Sequence, residues 1–429
     1  MRTLRRLYQS SFLKGVVAVA GGTALAQVAG VLFLPLLTRL YSPEAMGLWG
    51  LFVSFLGVAS VASTLRYDVA IVAAQSEKEA LAILRGSLVL ALVTSSVSAL
   101  ALEFIRKQSL WVYESLPWWL PLALFVALLG TSGGMVLRSY AIRKGAFGLV
   151  GRFVLAQGLA RNLSQAVFFA FGSAGLLLGE TLGRFWGLLN LWRIVPRIPM
   201  KWWDKEVLLK YKHFPVVHLP SSILDTVALA APVPVFVALY GVEVGGKLAI
   251  AMRLIGLPVT LLGASVADVF YGRVATLVRE APRNVMRELL LFVFGLAPLG
   301  LSLGLIFWFL GRNEFIVTGL LGKNWGDVGY FLSALAPWYA FLLIVSPVSR
   351  LIFLSRLAYL KLVYDALSVI VMLSPLAIAM SDPVDTVRLV SLLKSCQLVI
   401  YLFFVFYVAA NLASLEKARE VGERTWRKK

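Results

Sequence analysis

Residues 35–47 read Pro-Leu-Leu-Thr-Arg-Leu-Tyr-Ser-Pro-Glu-Ala-Met-Gly, and residues 234–246 read Pro-Val-Phe-Val-Ala-Leu-Tyr-Gly-Val-Glu-Val-Gly-Gly. Both give P-x-x-x-x-L-Y-x-x-E-x-x-G, so Pro35, Leu40, Tyr41, Glu44 and Gly47 match Pro234, Leu239, Tyr240, Glu243 and Gly246. Each copy sits where one long apolar run ends and another begins. An offset of 199 residues in a chain of 429 points to two related halves. The shared residues are expected to shape an outer turn between paired helices, which leaves the places where the copies differ for function. Arg39 stands against Ala238, and Arg253 against Ser54.

Around the repeat, hydrophobic residues make up 59% of the chain and charged residues 15%, with a mean hydropathy of +0.83. Apolar runs of about 20 residues recur throughout, each long enough as a helix to cross the ~30 Å hydrocarbon layer. This composition is that of an integral membrane protein and excludes a soluble one. Twelve spans are expected, at about 15–37, 45–65, 84–104, 117–138, 149–171, 174–194, 216–239, 248–270, 289–310, 328–350, 358–380 and 387–410. The basic start followed by an apolar run resembles a signal peptide, but the run continues to Leu37, so an uncleaved first span is expected.

A net charge of +19 would point to nucleic acid in a soluble chain, and nucleic acid is not expected as a partner here. The basic residues instead alternate between the two sides. With twelve spans, 30 of the 41 fall on one side and seven on the other, the asymmetry that places the rich side in the cytoplasm. Both termini are then cytoplasmic. The expected organisation is a six-helix lobe at 1–196, an amphipathic cytoplasmic linker at 197–214 carrying Trp202 and Trp203, a second six-helix lobe at 215–412 and a charged cytoplasmic tail at 413–429. Six spans per half place both halves in the same orientation, as a parallel repeat.

Signals for enzyme chemistry are sparse. Residues 241–247 have the spacing G-x-x-x-x-G-K, but Leu248 replaces the required Ser or Thr and no strand precedes them. One cysteine, Cys396, excludes an intrachain disulfide, and His213 and His218 lack metal-ligand spacing. No cofactor or metal is expected. Transport without ATP would draw on the substrate's own gradient, a potential or a coupling ion, H+ or Na+.

Polar groups inside spans carry more information, because they are costly in hydrocarbon and usually face a cavity or a partner. Gln157, Arg161 and Gln165 are spaced by four and share one helix face. With Arg39 and Arg253 they are the candidate substrate-binding residues, since an arginine fork matches phosphate oxygens. Asp225, Asp268 and Asp365 are candidate ion or proton sites. Asp365 reads either as the partner of Lys394 or as a functional group. Gly175, Gly179, Gly183 and Gly187 form a small-residue ridge for close packing, and Glu180 is expected to pair with Arg184.

The chain resembles the Wzx-type bacterial polysaccharide flippases of the MOP exporter superfamily. The resemblance rests on Gly22-Thr23-Ala24-Leu25-Ala26-Gln27 through the first repeat copy to Leu65-Arg66-Tyr67-Asp68-Val69-Ala70-Ile71. It continues in Arg143-Lys144 with Phe147, His213-Phe214-Pro215, Ala251-Met252-Arg253-Leu254, Asp268-Val269-Phe270-Tyr271 and Leu335-Ala336-Pro337-Trp338-Tyr339. It implies an all-α, MATE-like fold of two six-helix bundles around a central cavity, alternating between inward- and outward-facing states in the bacterial inner membrane. It also implies flipping of an undecaprenyl-diphosphate-linked oligosaccharide for surface polysaccharide biosynthesis. The implied partners are the bilayer, that lipid-linked sugar, and a polymerase with its chain-length machinery. Asp225 departs from the uncharged polar residue of many relatives. Two rivals stand beside this reading: a cation-coupled multidrug exporter of the same superfamily, and a membrane polysaccharide polymerase, which lacks here the large outer loop it would need.

Overall fold

The structure is a computed structural model describing residues 2–108, 111–196, 201–354, 359–378 and 380–426, with backbone alone described at 2–18, 111, 265, 268, 279–280, 353, 359–360 and 413–426. Among the described residues the regular structure is helical throughout. The helices are α1 (Arg2–Leu40), α2 (Pro43–Ser63), α3 (Tyr67–Ala73), α4 (Glu77–Lys107), α5 (Leu120–Arg143), α6 (Phe147–Val167), α7 (Ser173–Gly183), α8 (Leu188–Trp192) and α9 (Lys205–Lys210). They continue as α10 (Leu219–Ala230), α11 (Pro232–Tyr240), α12 (Val242–Glu280), α13 (Val285–Arg312), α14 (Glu314–Leu321), α15 (Val328–Val348), α16 (Tyr359–Leu373) and α17 (Pro383–Trp426).

Both repeat copies are helix–turn–helix junctions, and local chemistry sets each turn. In the first, Ser42 caps α2 by accepting from the Ala45 amide at 3.3 Å, Pro43 opens the helix and Glu44 sits in its first turn. In the second, Gly241 ends α11 with φ +88°, a region open to glycine at no steric cost, and Glu243 lies in the first turn of α12.

Among the described residues eight helices are long and apolar enough to span a membrane, and nine if α10 and α11 form one span bent by 41° at Pro232. Leu32 is 72% exposed, Phe104 61% and Phe294 72%, a surface suited to hydrocarbon rather than to water. The chain is a multi-pass membrane protein. Where they are described, the expected spans at 149–171, 174–194 and 358–380 are largely helical but depart from a simple spanning helix for visible reasons. Helix α6 carries Arg152, Gln157, Arg161, Asn162 and Gln165; α7 and α8 are separated by a turn ending at Gly187, φ +83°; α16 stops after 15 residues, ahead of Pro375.

The helices form two compact units, residues 1–249 with 320–325 and residues 250–319 with 326–429. In the first, α1 packs on α6, α6 on α7, α4 on α5, and α2 on α5, α7, α10 and α11. Residues 320–325 are tied there by Trp325, 1% exposed, whose indole donates to the Thr38 carbonyl at 2.6 Å. Part of the expected linker docks on the same unit: Leu208 is buried in a core with Tyr67, Leu84 and Tyr140, and Lys210 pairs with Glu79 at 2.6 Å. That carboxylate holds the Lys210 ammonium above its ordinary pKa. Residues 197–200 of the linker and 427–429 of the tail lie outside the described residues. In the second unit, α13, α15 and α17 pack side by side and α16 lies on α17.

Candidate functional site

The site in the first unit is built on Glu180. It sits on α7 in the run Gly-Leu-Leu-Leu-Gly-Glu-Thr-Leu-Gly, and the glycines of that run determine what surrounds it. A Cβ at Gly179 would lie 2.5 Å from the Gln165 backbone nitrogen, and one at Gly183 would lie 2.4 Å from the Arg161 Cα. The glycine ridge therefore brings α7 backbone-close to the polar face of α6, as expected of small residues in membrane packing. Glu180 is carried into this seam and is 1% exposed.

Side chains from α2, α6 and α7 meet its carboxylate. The Trp49 indole and the Gln165 amide donate to Oε2 at 3.0 and 3.1 Å, and Arg184 donates to Oε1 at 2.6 Å. Arg161 holds its guanidinium 3.9 Å from Oε1, with the side chain 36% exposed. The expected Glu180–Arg184 pair is present, and Arg184 also donates to the Thr131 hydroxyl at 3.0 Å. Gln157 donates to the Arg184 carbonyl at 2.8 Å. Tyr41 of the first repeat copy reaches the same seam and donates to the Gln165 carbonyl at 2.5 Å. Burial pushes the Tyr41 hydroxyl up to about 12, so it stays protonated and donating.

Two arginines against one carboxylate leave a formal excess of one positive charge. The Nε atoms of Arg161 and Arg184 are buried with no acceptor among the described residues. An unused buried donor is costly, typically about 1–3 kcal/mol, unless a water or an anionic guest meets it. The seam can thus receive further negative charge.

The second unit holds a comparable cluster between α16 and α17. Asp365, 0% exposed, pairs with Lys361 one turn earlier. Lys394, 5% exposed, donates to Ser368 Oγ at 2.8 Å and Gln397 Oε1 at 2.9 Å. Its ammonium also lies 5.7 Å from the Tyr364 ring and 5.9 Å from the Trp338 ring. A carboxylate with its lysine partner and a second, buried lysine thus lie on these two helices. In each half the cluster falls between the segments expected as the fifth and sixth spans.

Of the residues expected at a site, Arg161, Gln165 and Gln157 are brought together, and Asp365 anchors the second cluster. Arg39 is exposed at the end of α1, where it donates to the Pro35 carbonyl at 3.0 Å. Arg253 is half-buried on α12, Asp225 is exposed on α10, and the Asp268 side chain lies outside the described residues. Sequence reasoning missed Glu180 as the hub, gave Tyr41 only to the turn, and missed Trp49 altogether. The signal for Glu180 was available as a carboxylate inside an otherwise apolar run. Nothing local marks Trp49, which lies 131 positions away from its acceptor.

No family profile matches the chain, and no curated protein matches it in sequence. Solved structures do match in fold. An inward-facing multidrug resistance MATE family transporter of the MOP superfamily gives a TM-score of 0.69 at 13% identity, over 92% of this chain and 96% of that one. Lipid II flippase MurJ, in an inward closed conformation, gives 0.72 at 15% identity, over 93% of this chain and 90% of that one. The outward-facing conformation of the MATE transporter matches at 0.54 and 14% identity, over 94% and 96%. The chain is an all-α membrane protein with the fold of the MATE and MurJ transporters.

Proposed function

We propose that the chain is a flippase that carries an undecaprenyl-diphosphate-linked oligosaccharide from the cytoplasmic to the outer leaflet of the bacterial inner membrane, by alternating access. The observation that carries this reading is the cationic excess in the first unit, Arg161 and Arg184 against Glu180. A diphosphate needs cationic donors, and guanidinium forks supply them with matched geometry. The fold is shared by solved transporters caught facing inward and outward, which supports a rocking carrier without requiring chemistry on the cargo. In this reading Arg161 and Gln165 meet the diphosphate or acidic sugars. Arg253 and Arg39 extend that contact, and Asp365, Asp225 and Asp268 serve a coupling ion or proton.

The test is transfer of a labelled lipid-linked oligosaccharide in inverted membrane vesicles. Transfer should require this chain, and vesicles lacking it should retain the label in the leaflet where it was loaded. Drug resistance on expression, with no defect in surface polysaccharide on deletion, would instead identify a multidrug exporter.

A further inference from the structure

A second cationic place lies on the first unit, apart from the Glu180 seam. Leu149, Arg152, Phe153 and Ala156 of α6 and residues 187, 190, 193 and 194 line a cavity of about 440 Å³. Its polar lining is Arg152, Asn190 and Arg193, all exposed, and among the described residues neither arginine has an ion-pair or hydrogen-bond partner. The arginines of the comparable cavity on the second unit are both engaged, Arg388 with Asp385 at 2.6 Å and Arg312 over the Trp308 ring at 3.9 Å.

The stretch around α8 presents two faces in alternation. Gly187, Asn190 and Arg193 line the cavity, while the interleaved Trp186, Leu189 and Trp192 are 64%, 78% and 43% exposed. Exposed indoles beside a leucine are the signature of a segment at the membrane–water boundary. Two uncompensated guanidinium groups at that depth face the layer where lipid phosphates lie. The cavity falls within the ~300–1,000 Å³ typical of small-molecule sites, large enough for more than a bare phosphate.

We propose that this cavity binds the phosphate of an anionic phospholipid headgroup through Arg152 and Arg193, with Asn190 on the headgroup's polar end and Trp186, Leu189 and Trp192 against its acyl chains. The site does not depend on the flippase reading, and its test requires no transport. Purified full-length protein, delipidated in neutral detergent, is titrated with phosphatidylglycerol, and bound lipid is counted by native mass spectrometry. Phosphatidylcholine and inorganic phosphate form two parallel arms.

Wild-type protein should retain phosphatidylglycerol over phosphatidylcholine, and the Arg152→Gln/Arg193→Gln double variant should lose affinity at least about tenfold. The Arg312→Gln/Arg388→Gln variant should retain wild-type affinity, which excludes a general effect of lowered charge. Both pairs are exposed, and thermal unfolding of each variant verifies that it is folded. Equal retention by the Arg152/Arg193 variant and wild type would overturn the site. Equal binding of phosphatidylcholine would overturn its anion selectivity. Displacement of phosphatidylglycerol by inorganic phosphate at equal concentration would overturn the lipid as the occupant.

Discussion

Gly47 and Gly246, equivalent positions of the two repeat copies, each close against the start of the other copy's helix. A Cβ at Gly47 would stand 2.0 Å from the Val242 carbonyl oxygen, and one at Gly246 would stand 1.9 Å from that of Pro43. Val242 and Pro43 are themselves equivalent under the same offset of 199 residues. The contact is therefore reciprocal, as a two-fold-related pair of surfaces must be. The motif recurs because both copies build one helix crossing and each must supply half of it.

Alanine at either glycine should destabilise the protein, by roughly 1–3 kcal/mol for overpacking against rigid backbone, and more where the backbone cannot shift. Because both substitutions open the same seam, the double variant should cost less than the sum of the singles. Gly21, with nothing within 4 Å of its added Cβ, provides the contrast, and Gly21→Ala should be neutral or stabilising. Thermal unfolding in detergent reads all four. Additive losses from Gly47→Ala and Gly246→Ala would show that the two positions are not one contact.

Glu180→Leu should destabilise strongly, by about 3–5 kcal/mol, because it strands a half-buried Arg184 and leaves Trp49 and Gln165 without their acceptor. Adding Arg184→Met should restore a large part of that loss by removing the stranded charge. A double-mutant cycle on unfolding free energies measures the coupling. Coupling below about 0.5 kcal/mol would mean that the pair is not a unit.

The fold was readable because it rests on long-period features: apolar run length, alternation of basic segments and a repeat whose conserved spacing marks the helix turns. The site was half readable. Gln157, Arg161 and Gln165 declare a common face through their spacing alone, and so does the Glu180–Arg184 pair. That the two sets form one cluster depends on α6 and α7 meeting at backbone distance, a tertiary fact that the glycine ridge hinted at without naming its partner. Asp365 shows the limit most clearly. From sequence it reads either as the partner of Lys394 or as a functional group, whereas in the structure Lys361, one turn earlier on the same helix, is folded back onto it. Tyr41 gained a role that the motif does not announce, because the seam it reaches is built from residues outside the motif.

Leu65 and Arg66 take left-handed conformations with φ of 48° and 64°, the described non-glycine residues that do so. For such side chains this conformation stores about 1–2 kcal/mol per residue. Arg66→Gly should therefore raise stability by about 1 kcal/mol if the guanidinium is held there for function rather than for packing. The Nε of Arg66 is buried without an acceptor among the described residues, which fits a side chain whose purpose is not the fold. Thermal unfolding and the vesicle assay together decide. Higher stability with transfer reduced at least about tenfold is the expected outcome, and lower stability would make Arg66 a structural residue.

Arg161 offers the cleanest separation of fold from function within the Glu180 cluster. At 3.9 Å from the carboxylate and 36% exposed, its ion pair is loose and contributes at most about 1 kcal/mol. Arg184, closer and less exposed, holds Glu180 without it. Arg161→Ala should consequently leave unfolding nearly unchanged while lowering transfer of the lipid-linked oligosaccharide by about tenfold or more, the loss expected when one charge-assisted contact to a phosphate is removed. Arg161→Lys should recover only part of the rate, since an ammonium keeps the charge but not the planar fork. Full transfer by Arg161→Ala would remove this residue from the mechanism and leave Arg184 as the cation the cluster offers to its cargo.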